Sequence, residues 1–282
     1  MSTATMNRPA ARVSGKGVSF ARVLHSEWIK FTTLRSTWIL LATTVAVSIG
    51  IGVLGAWGMG SGIEQLRADG QDPASVGLDP SMIPMMATGG LDFGQLIIGA
   101  LGVLLIASEY STGMIRSTMT AVPRRIPALA AKAVVVAVVA AIVGVVSSFA
   151  TYFVSQPVLS QYGLEYGLDV ENLVQSVLLS GVYLALVALM GLALGSLLRN
   201  SAGGIVTLVA LLLVLPIVAS MLQFDWVKDG VEPFLPSNAG RQLVALQIPE
   251  DALTQLQGGL VMAAWAAVLL VAAAFTTKTR DV

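Results

Sequence analysis

Apolar residues collect along this chain in six long runs, at residues 37–57, 91–107, 131–154, 173–198, 205–222 and 259–276. Polar stretches or glycine- and proline-rich segments separate them. A helix of roughly 20 residues crosses the hydrocarbon of a bilayer, so each run predicts one membrane-spanning helix and the whole pattern predicts an all-α membrane protein. The second run is short, contains Gln95 and starts beside Asp92, which predicts irregular backbone at that end. Only Arg199-Asn-Ser-Ala-Gly-Gly204 separates the fourth run from the fifth, a tight hairpin. Pro216 lies inside the fifth run, where a ring without an N–H should kink the helix. In Gly191-Leu-Ala-Leu-Gly195 two glycines four residues apart leave a bare strip on one helix face. Such a strip lets another helix approach closely, in the same chain or in a second subunit.

The stretch before the first run, residues 19–35, has a different period. Phe20, Val23, Leu24, Trp28, Phe31 and Leu34 fall on one face at 100° per residue, and Arg22, His25, Ser26, Lys30 and Thr33 lie mainly elsewhere. This predicts an amphipathic helix in the headgroup plane with Trp28 as an interfacial anchor. Glu27 breaks the pattern, because it projects from the middle of the apolar face. It either pairs with Lys30 three residues on or meets a basic group of the same protein or of a partner. Residues 1–18 are small, polar and basic and read as a disordered tail. No cleaved signal peptide is expected, since the first apolar run starts far from the N-terminus and is long enough to span.

Composition supports the membrane reading. Of 282 residues 55% are hydrophobic and 11% charged, with a mean hydropathy of +0.80, against about 25% charged in a typical soluble domain. Net charge is zero, which speaks against a nucleic-acid partner. The placement of charge says more than its sum. With the N-terminus inside, six spans also return the C-terminus inside. Thirteen of the sixteen basic residues then lie inside, and only Arg67, Lys228 and Arg241 lie outside. Of the sixteen acids only Glu27, Glu109 and Asp281 are inside. Excess Lys and Arg on the cytoplasmic side is the usual determinant of orientation, so both termini are expected in the cytoplasm. Residues 59–90, 155–172 and 223–258 then form outer segments. A short helix is expected at 239–247, capped by Ser237 or Asn238. No outer segment is long enough for a folded receptor domain.

Enzymatic chemistry is hard to place on this sequence. There is no cysteine and one histidine, His25, which removes disulfides, thiolate sites and multi-histidine metal centres. The sole Gly-Lys pair, Gly15-Lys16, is followed by Gly17 and not by the Ser or Thr of a phosphate-binding loop. The span centres carry almost no ionisable groups, whereas ion-coupled transporters usually keep some. Asp92, Lys132 and Glu171 sit at span ends. Gln95, Gln175, Tyr152 and Tyr183 read mainly as hydrogen-bonding contacts between helices, with Gln95 also a candidate for lining a pathway and Pro216 for a hinge. The chain therefore has a strong topology and no visible energy source. Residues 108–130, between the second and third spans, form a polar segment with Arg116, Arg124 and Arg125 and a single acid, Glu109. It reads as a short helix ended by Pro123. Its arginines suit acidic groups on a cytoplasmic partner, with Met114, Ile115 and Met119 filling an apolar slot there, or they suit anionic lipid headgroups.

Three stretches resemble a known family. Ser26-Glu-Trp-Ile-Lys-Phe-Thr-Thr-Leu-Arg-Ser-Thr-Trp38, then Glu109-Tyr-Ser-Thr-Gly-Met-Ile-Arg-Ser-Thr118 with Val122-Pro-Arg-Arg125, and finally Leu235-Pro-Ser-Asn-Ala-Gly240 are similar to segments of ABC-2 type permeases. These are the membrane subunits of bacterial ATP-binding-cassette exporters, and the third stretch resembles their actinobacterial members. The resemblance runs from about Phe20 to Thr276 in the same six-span order. It implies that Glu27, Trp28 and Lys30 belong to a connecting helix on the inner leaflet. It also implies that Glu109, Tyr110, Gly113, Met114, Ile115 and Arg116 belong to a coupling segment that docks on the ATPase, with Pro123, Arg124 and Arg125 at its exit. Many members have Thr where this chain has Met114. The segment before the last span would form short outer re-entrant helices.

The resemblance implies a permease that moves substrate by alternating access in the bacterial plasma membrane. It would pair with a second permease subunit, identical or not, and each would dock on a cytoplasmic ATPase subunit. ATP and magnesium would bind there and no cofactor on this chain. The substrate path would run between subunits, along the second and fifth spans. Rival readings are a membrane sensor or scaffold without transport and an ion-coupled secondary transporter.

Overall fold

Inside a bilayer no water is present to satisfy backbone N–H and C=O groups, so a chain this apolar must satisfy them within helices or a closed barrel. A computed structural model describes residues 19–115, 117, 125–222, 224–249 and 251–279, and these residues contain helices and turns but no strand. Helix α1 (Phe20–Thr33) ends at Leu34, whose extended backbone breaks it from α2 (Arg35–Ala68). Then follow α3 (Leu91–Ser111), α4 (Arg125–Leu159), α5 (Leu173–Leu198), α6 (Ser201–Met221), the short α7 (Pro236–Leu243) and α8 (Gln255–Thr279). Helices α2 to α6 and α8 are long and apolar enough to cross a membrane, the second of these crossings including the turns that precede α3 from Pro80 on. The protein is thus an all-α, multi-pass membrane protein. The tail at residues 1–18 and the residues Arg116, Pro123 and Arg124 lie outside the described residues, as does the side chain of Arg125.

Two helices exceed their apolar runs by far more than the others do. Expected to end at residue 57, α2 continues to Ala68, which makes it about 50 Å long at 1.5 Å per residue. Expected at 131–154, α4 covers Arg125–Leu159. Packing explains both extensions. Ala56 and Ile63 of α2 form a separate apolar cluster with Leu159 of α4 and with Ile83 and Leu164 of the connecting segments. Helix persists there because it buries side chains, not because lipid requires it. The second run, expected to be irregular at its outer end, is regular helix from Leu91 on; the irregular backbone lies just before it, as a 3₁₀ segment at Pro80–Met85 and one helical turn at Met86–Gly89.

The core is built around α3 and α5, whose most apolar windows are each 67% buried, against 28%, 22% and 22% for α2, α6 and α8. Glycines let these two helices come together. A Cβ placed on Gly191 would stand 2.1 Å from the Gly99 carbonyl oxygen, and one on Gly102 would stand 2.3 Å from that of Ala188. The Gly191–Gly195 strip is therefore used within the chain. Polar side chains fasten the same elements. The fully buried Tyr183 hydroxyl of α5 donates to Gln95 Oε1 of α3 at 2.6 Å. Gln95 Nε2 donates to the Asp92 carbonyl at 3.1 Å, and Gln175 Nε2 of α5 donates to Gln255 Oε1 of α8 at 2.7 Å. Gln95 thus acts between helices.

Helix α7 differs from its expectation at 239–247. It starts at Pro236, with Leu235 at the N-cap and no side-chain cap. A proline at the first helical position has its φ already set and lacks the N–H that would be orphaned. Ser237 and Asn238 therefore lie in the first turn, and Asn238 Nδ2 donates to the Glu232 carbonyl at 2.8 Å. Arg241 of α7 pairs with Asp92 at the start of α3, Nε to Oδ1 3.0 Å. Within α6 a π segment at Ala210–Val214 is closed by the Leu215 N–H bonding to the Ala210 carbonyl, immediately before Pro216. A wide turn beside a residue without an N–H is a local weak point in the helix ladder.

Candidate functional site

The most unusual chemistry lies where α1, the end of α3 and the start of α4 meet. On α1 the buried stripe is Val23, Glu27 and Phe31, spaced four residues apart and therefore on one face. Phe20, Trp28 and Leu34 are roughly half exposed. The apolar side of α1 is accordingly split between protein and surroundings, with Glu27 in the middle of the protein-facing stripe. Trp28 stacks on Phe31 with ring centroids 6.3 Å apart. Its exposure suits the anchoring position expected of it.

Glu27 is 4% exposed, Glu109 2% and Lys132 7%. Lys132 Nζ donates to Glu27 Oε2 at 2.6 Å and to Glu109 Oε1 at 2.9 Å. Lys30 Nζ, nearer the surface, donates to Glu27 Oε1 at 2.7 Å and to Glu109 Oε1 at 3.1 Å. Among the described residues, two carboxylates and two ammonium groups thus form one cluster of balanced charge that ties three elements together. Both contacts foreseen for Glu27 are made, one to Lys30 and one to a basic group of the same chain. Lys132 was not singled out in sequence, where it reads as a charge at a span end. Its partners lie 105 and 23 residues away, beyond any local pattern.

Burial by itself pushes the Glu27 carboxyl upward. The Lys132 ammonium, by charge and hydrogen bond, and then Lys30 outweigh burial and hold its pKa below the ordinary 4.5. Burial likewise pulls Lys30 down, but its hydrogen bond to Glu27 and the charge of Glu109 raise it above the ordinary 10.5. A depressed carboxylate contributes stability that is present above its unfolded pKa and lost as pH falls through the folded one. A raised ammonium contributes stability that is present below its unfolded pKa and lost as pH rises through the folded one. We therefore expect the contribution of Glu27 and Lys30 to thermal stability to be fully present between about pH 4.5 and 10.5 and to fall on either side. In Glu27→Gln the acid limb should shrink. An acid limb of unchanged depth in that variant would remove Glu27 from the explanation.

The other residues expected in this region divide into two groups. Glu109 and Ile115 face inward: Glu109 onto the two lysines, and Ile115, 4% exposed, beside a small cavity that Ala128, Leu129 and Thr277 also line. Tyr110 carries the Arg199 guanidinium over its ring at 5.0 Å, which brings the α5–α6 turn to the same end. Ser196 of α5 and Thr277 of α8 hydrogen-bond there at 3.2 Å. Ser111, Thr112, Gly113 and Met114 face outward. Gly113 has φ +72°, a left-handed conformation that glycine adopts without the Cβ clash other residues meet. It turns the chain sharply after α3, and Met114, Ile115 and Ser117 are again helical. The suggested contact between Glu27 and Arg116 falls on a residue outside those described.

One end of the bundle therefore gathers α1, α3, α4, the α5–α6 turn and the end of α8 around a buried charge cluster, with a glycine-turned polar segment exposed beside it. Among the described residues no group of acids and histidine has a metal-binding arrangement. No protein-family model matches this chain, and no curated protein sequence matches it.

Proposed function

We propose that this protein is the membrane-spanning permease subunit of an ATP-binding-cassette exporter, driven by a separate cytoplasmic ATPase. The observation that carries the reading is the clamp of Glu27, Lys30, Glu109 and Lys132. The two stretches that resemble the connecting helix and the coupling segment of ABC-2 type permeases are distant in sequence, and this clamp joins them through 2.6–3.1 Å ion pairs. A push received at the exposed segment after Ser111 would pass into α3 and α4, which are continuous with it, and into α1 through the cluster. The excess of Lys and Arg on the tail, on the 108–130 segment and at the α5–α6 turn supports a cytoplasmic position for this end. The lack of a phosphate-binding loop in the sequence fits a subunit that relies on another for ATP hydrolysis.

On this reading Gly113 and Met114 belong to the docking surface, with Arg116, Pro123, Arg124 and Arg125 along the segment that follows. Glu109 and Ile115 set its position from beneath. A second permease subunit would complete the path, and ATP closure and hydrolysis would alternate its access. The purified chain is expected to hydrolyse no ATP by itself. Co-expressed with an ATPase encoded beside it, it should co-purify with that ATPase and give ATP-dependent transport in proteoliposomes. Reversing Arg124 and Arg125 to Glu should weaken the association at least tenfold. Full association and coupling in the doubly reversed protein would remove these arginines from the docking surface. Transport driven by an ion gradient, with no ATPase present, would overturn the permease reading itself.

A further inference from the structure

Helix α1 has two apolar flanks, and the charge cluster occupies only one of them. Val23, Glu27 and Phe31 are buried against the bundle, and Val23 packs on Ala128 and Ala131 of α4. Leu24, His25 and Trp28 lie beside that stripe, at the spacing that keeps side chains on one helix face. They form one wall of a groove of about 320 Å³. Val134 and Val138 of α4, each about half exposed, belong to the other wall. The groove thus runs alongside the contact that holds α1 to a membrane-spanning helix.

We infer that this groove binds one acyl chain of an anionic phospholipid, with the lipid's phosphate at His25. The inference rests on the membrane position of α1 and α4 and not on the permease reading. Apart from His25 the walls are apolar. Ordered water needs two to four polar partners, which valine and leucine do not offer. Trp28 marks the interface and α4 crosses the membrane, so the groove opens where acyl chains meet headgroups. Charge then selects among apolar occupants. Arg22 and His25 on α1 and Arg35 at its junction with α2 are exposed, whereas Glu27 and Glu109 are withdrawn into the cluster. A second copy of the chain would bring the same basic flank to this one. Residues 1–18 hold three basic residues and no acid, so they do not complement it either. A phospholipid supplies both halves of the match, a chain for the valine wall and a phosphate for the basic rim. An imidazole keeps at least one N–H in either protonation state, so His25 can always donate to a phosphate oxygen. A chain seated here would add a second apolar contact between α1 and α4 beside that of Val23. The lipid composition of the leaflet would then govern how firmly α1 is held.

Brominated acyl chains quench the tryptophans they touch, which gives a direct test. The full chain is placed in phosphatidylcholine vesicles with a minor share of lipid brominated along its chains, either phosphatidylglycerol or phosphatidylcholine. The quenching due to Trp28 is the difference between wild type and Trp28→Phe. It should reach half its limit at a mole fraction about fivefold lower for brominated phosphatidylglycerol, the preference that one basic residue at a membrane surface gives. The tryptophans left in Trp28→Phe should show a smaller preference. Equal quenching of Trp28 by the two lipids would leave only boundary lipid there and overturn the inference. Val134→Phe with Val138→Phe fills the groove from outward-facing positions and changes no charge, so the preference at Trp28 should disappear. A preference that survives it would mean that lipid gathers at a basic surface without entering the groove, which also overturns the inference. His25→Leu, at an exposed position, keeps the groove and removes the donor. It should lower the preference, and an unchanged value would overturn the placement of the phosphate. Soluble glycerol phosphate should not relieve the quenching. Relief would make the phosphate alone the ligand and overturn the lipid assignment.

Discussion

Lys132→Met should destabilise the protein by about 3–5 kcal/mol, the range found when one member of a buried ion pair is removed. Among the described residues this lysine is the only buried cation contacting both carboxylates; the other cation, Lys30, is 26% exposed. Without Lys132, Glu27 Oε2 loses its partner at 2.6 Å and Glu109 Oε1 one at 2.9 Å. Two buried acids then face one cation. The cheapest response is for one of them to take up a proton, so the loss should be smaller at acid pH and full at neutral pH. Lys132→Arg should keep most of the stability. Lys132→Met combined with Glu27→Gln should recover a large part of it, because the cluster is neutral again. Unfolding equilibria in bilayers, measured for wild type, Lys132→Met, Glu27→Gln and the double variant, check this as a cycle. A single Lys132→Met variant within about 0.5 kcal/mol of wild type would show that the cluster does not hold α1, α3 and α4 together.

The second large effect is expected at Gly191. A Cβ there would come within 2.1 Å of the Gly99 carbonyl oxygen and within 2.9 Å of its carbonyl carbon. These are backbone atoms of α3, which have no rotamer to move into. Gly191→Val must therefore push α3 and α5 apart along the contact that organises the core. Overpacking typically costs about 1–3 kcal/mol, and the rigidity of both partners puts this substitution at about 3 kcal/mol or more. Gly191→Ala should lie between it and wild type. Gly50 and Gly58 on α2 serve as controls, since a Cβ at either meets nothing within 4 Å. Gly58→Val should change stability little. Equal loss at Gly58 and Gly191 would mean that the effect is a general response to valine and not the closeness of these two helices.

Much of this fold was legible in the sequence because lipid imposes a simple rule on it. The fourth run, 173–198, coincides with α5. It is predominantly apolar and is bounded by Asn172 and Arg199, both with positive φ. Helix α1 and its odd glutamate were legible from a 100° period. Features set by tertiary contact were not. Helix α2 outruns its apolar stretch by eleven residues because Ile63 packs against neighbours that hydropathy does not record. The start of α7 was misplaced because Ser237 and Asn238 are better caps than Leu235 in the abstract, and Pro236 took the first helical position from them. The cluster was half legible. Glu27 advertised a missing cation by lying on an apolar face, but Lys132 had nothing in its own neighbourhood to mark it as that cation. Glu109 sits in a polar stretch, where exposure was the natural expectation, and the fold turns it inward.

The clamp also has an electrical consequence. Moving one elementary charge through the full membrane field costs about 2.3 kcal/mol per 100 mV. Glu27, Glu109, Lys30 and Lys132 carry two charges of each sign joined by ion pairs of 2.6–3.1 Å, so these four groups can shift along the membrane normal while transferring no net charge. A conformational cycle that carries α1 and the adjoining ends of α3 and α4 as one body is then silent to the membrane potential at this point. On the permease reading proposed above, the work for that movement would come from the subunit docked on the exposed segment beside Gly113.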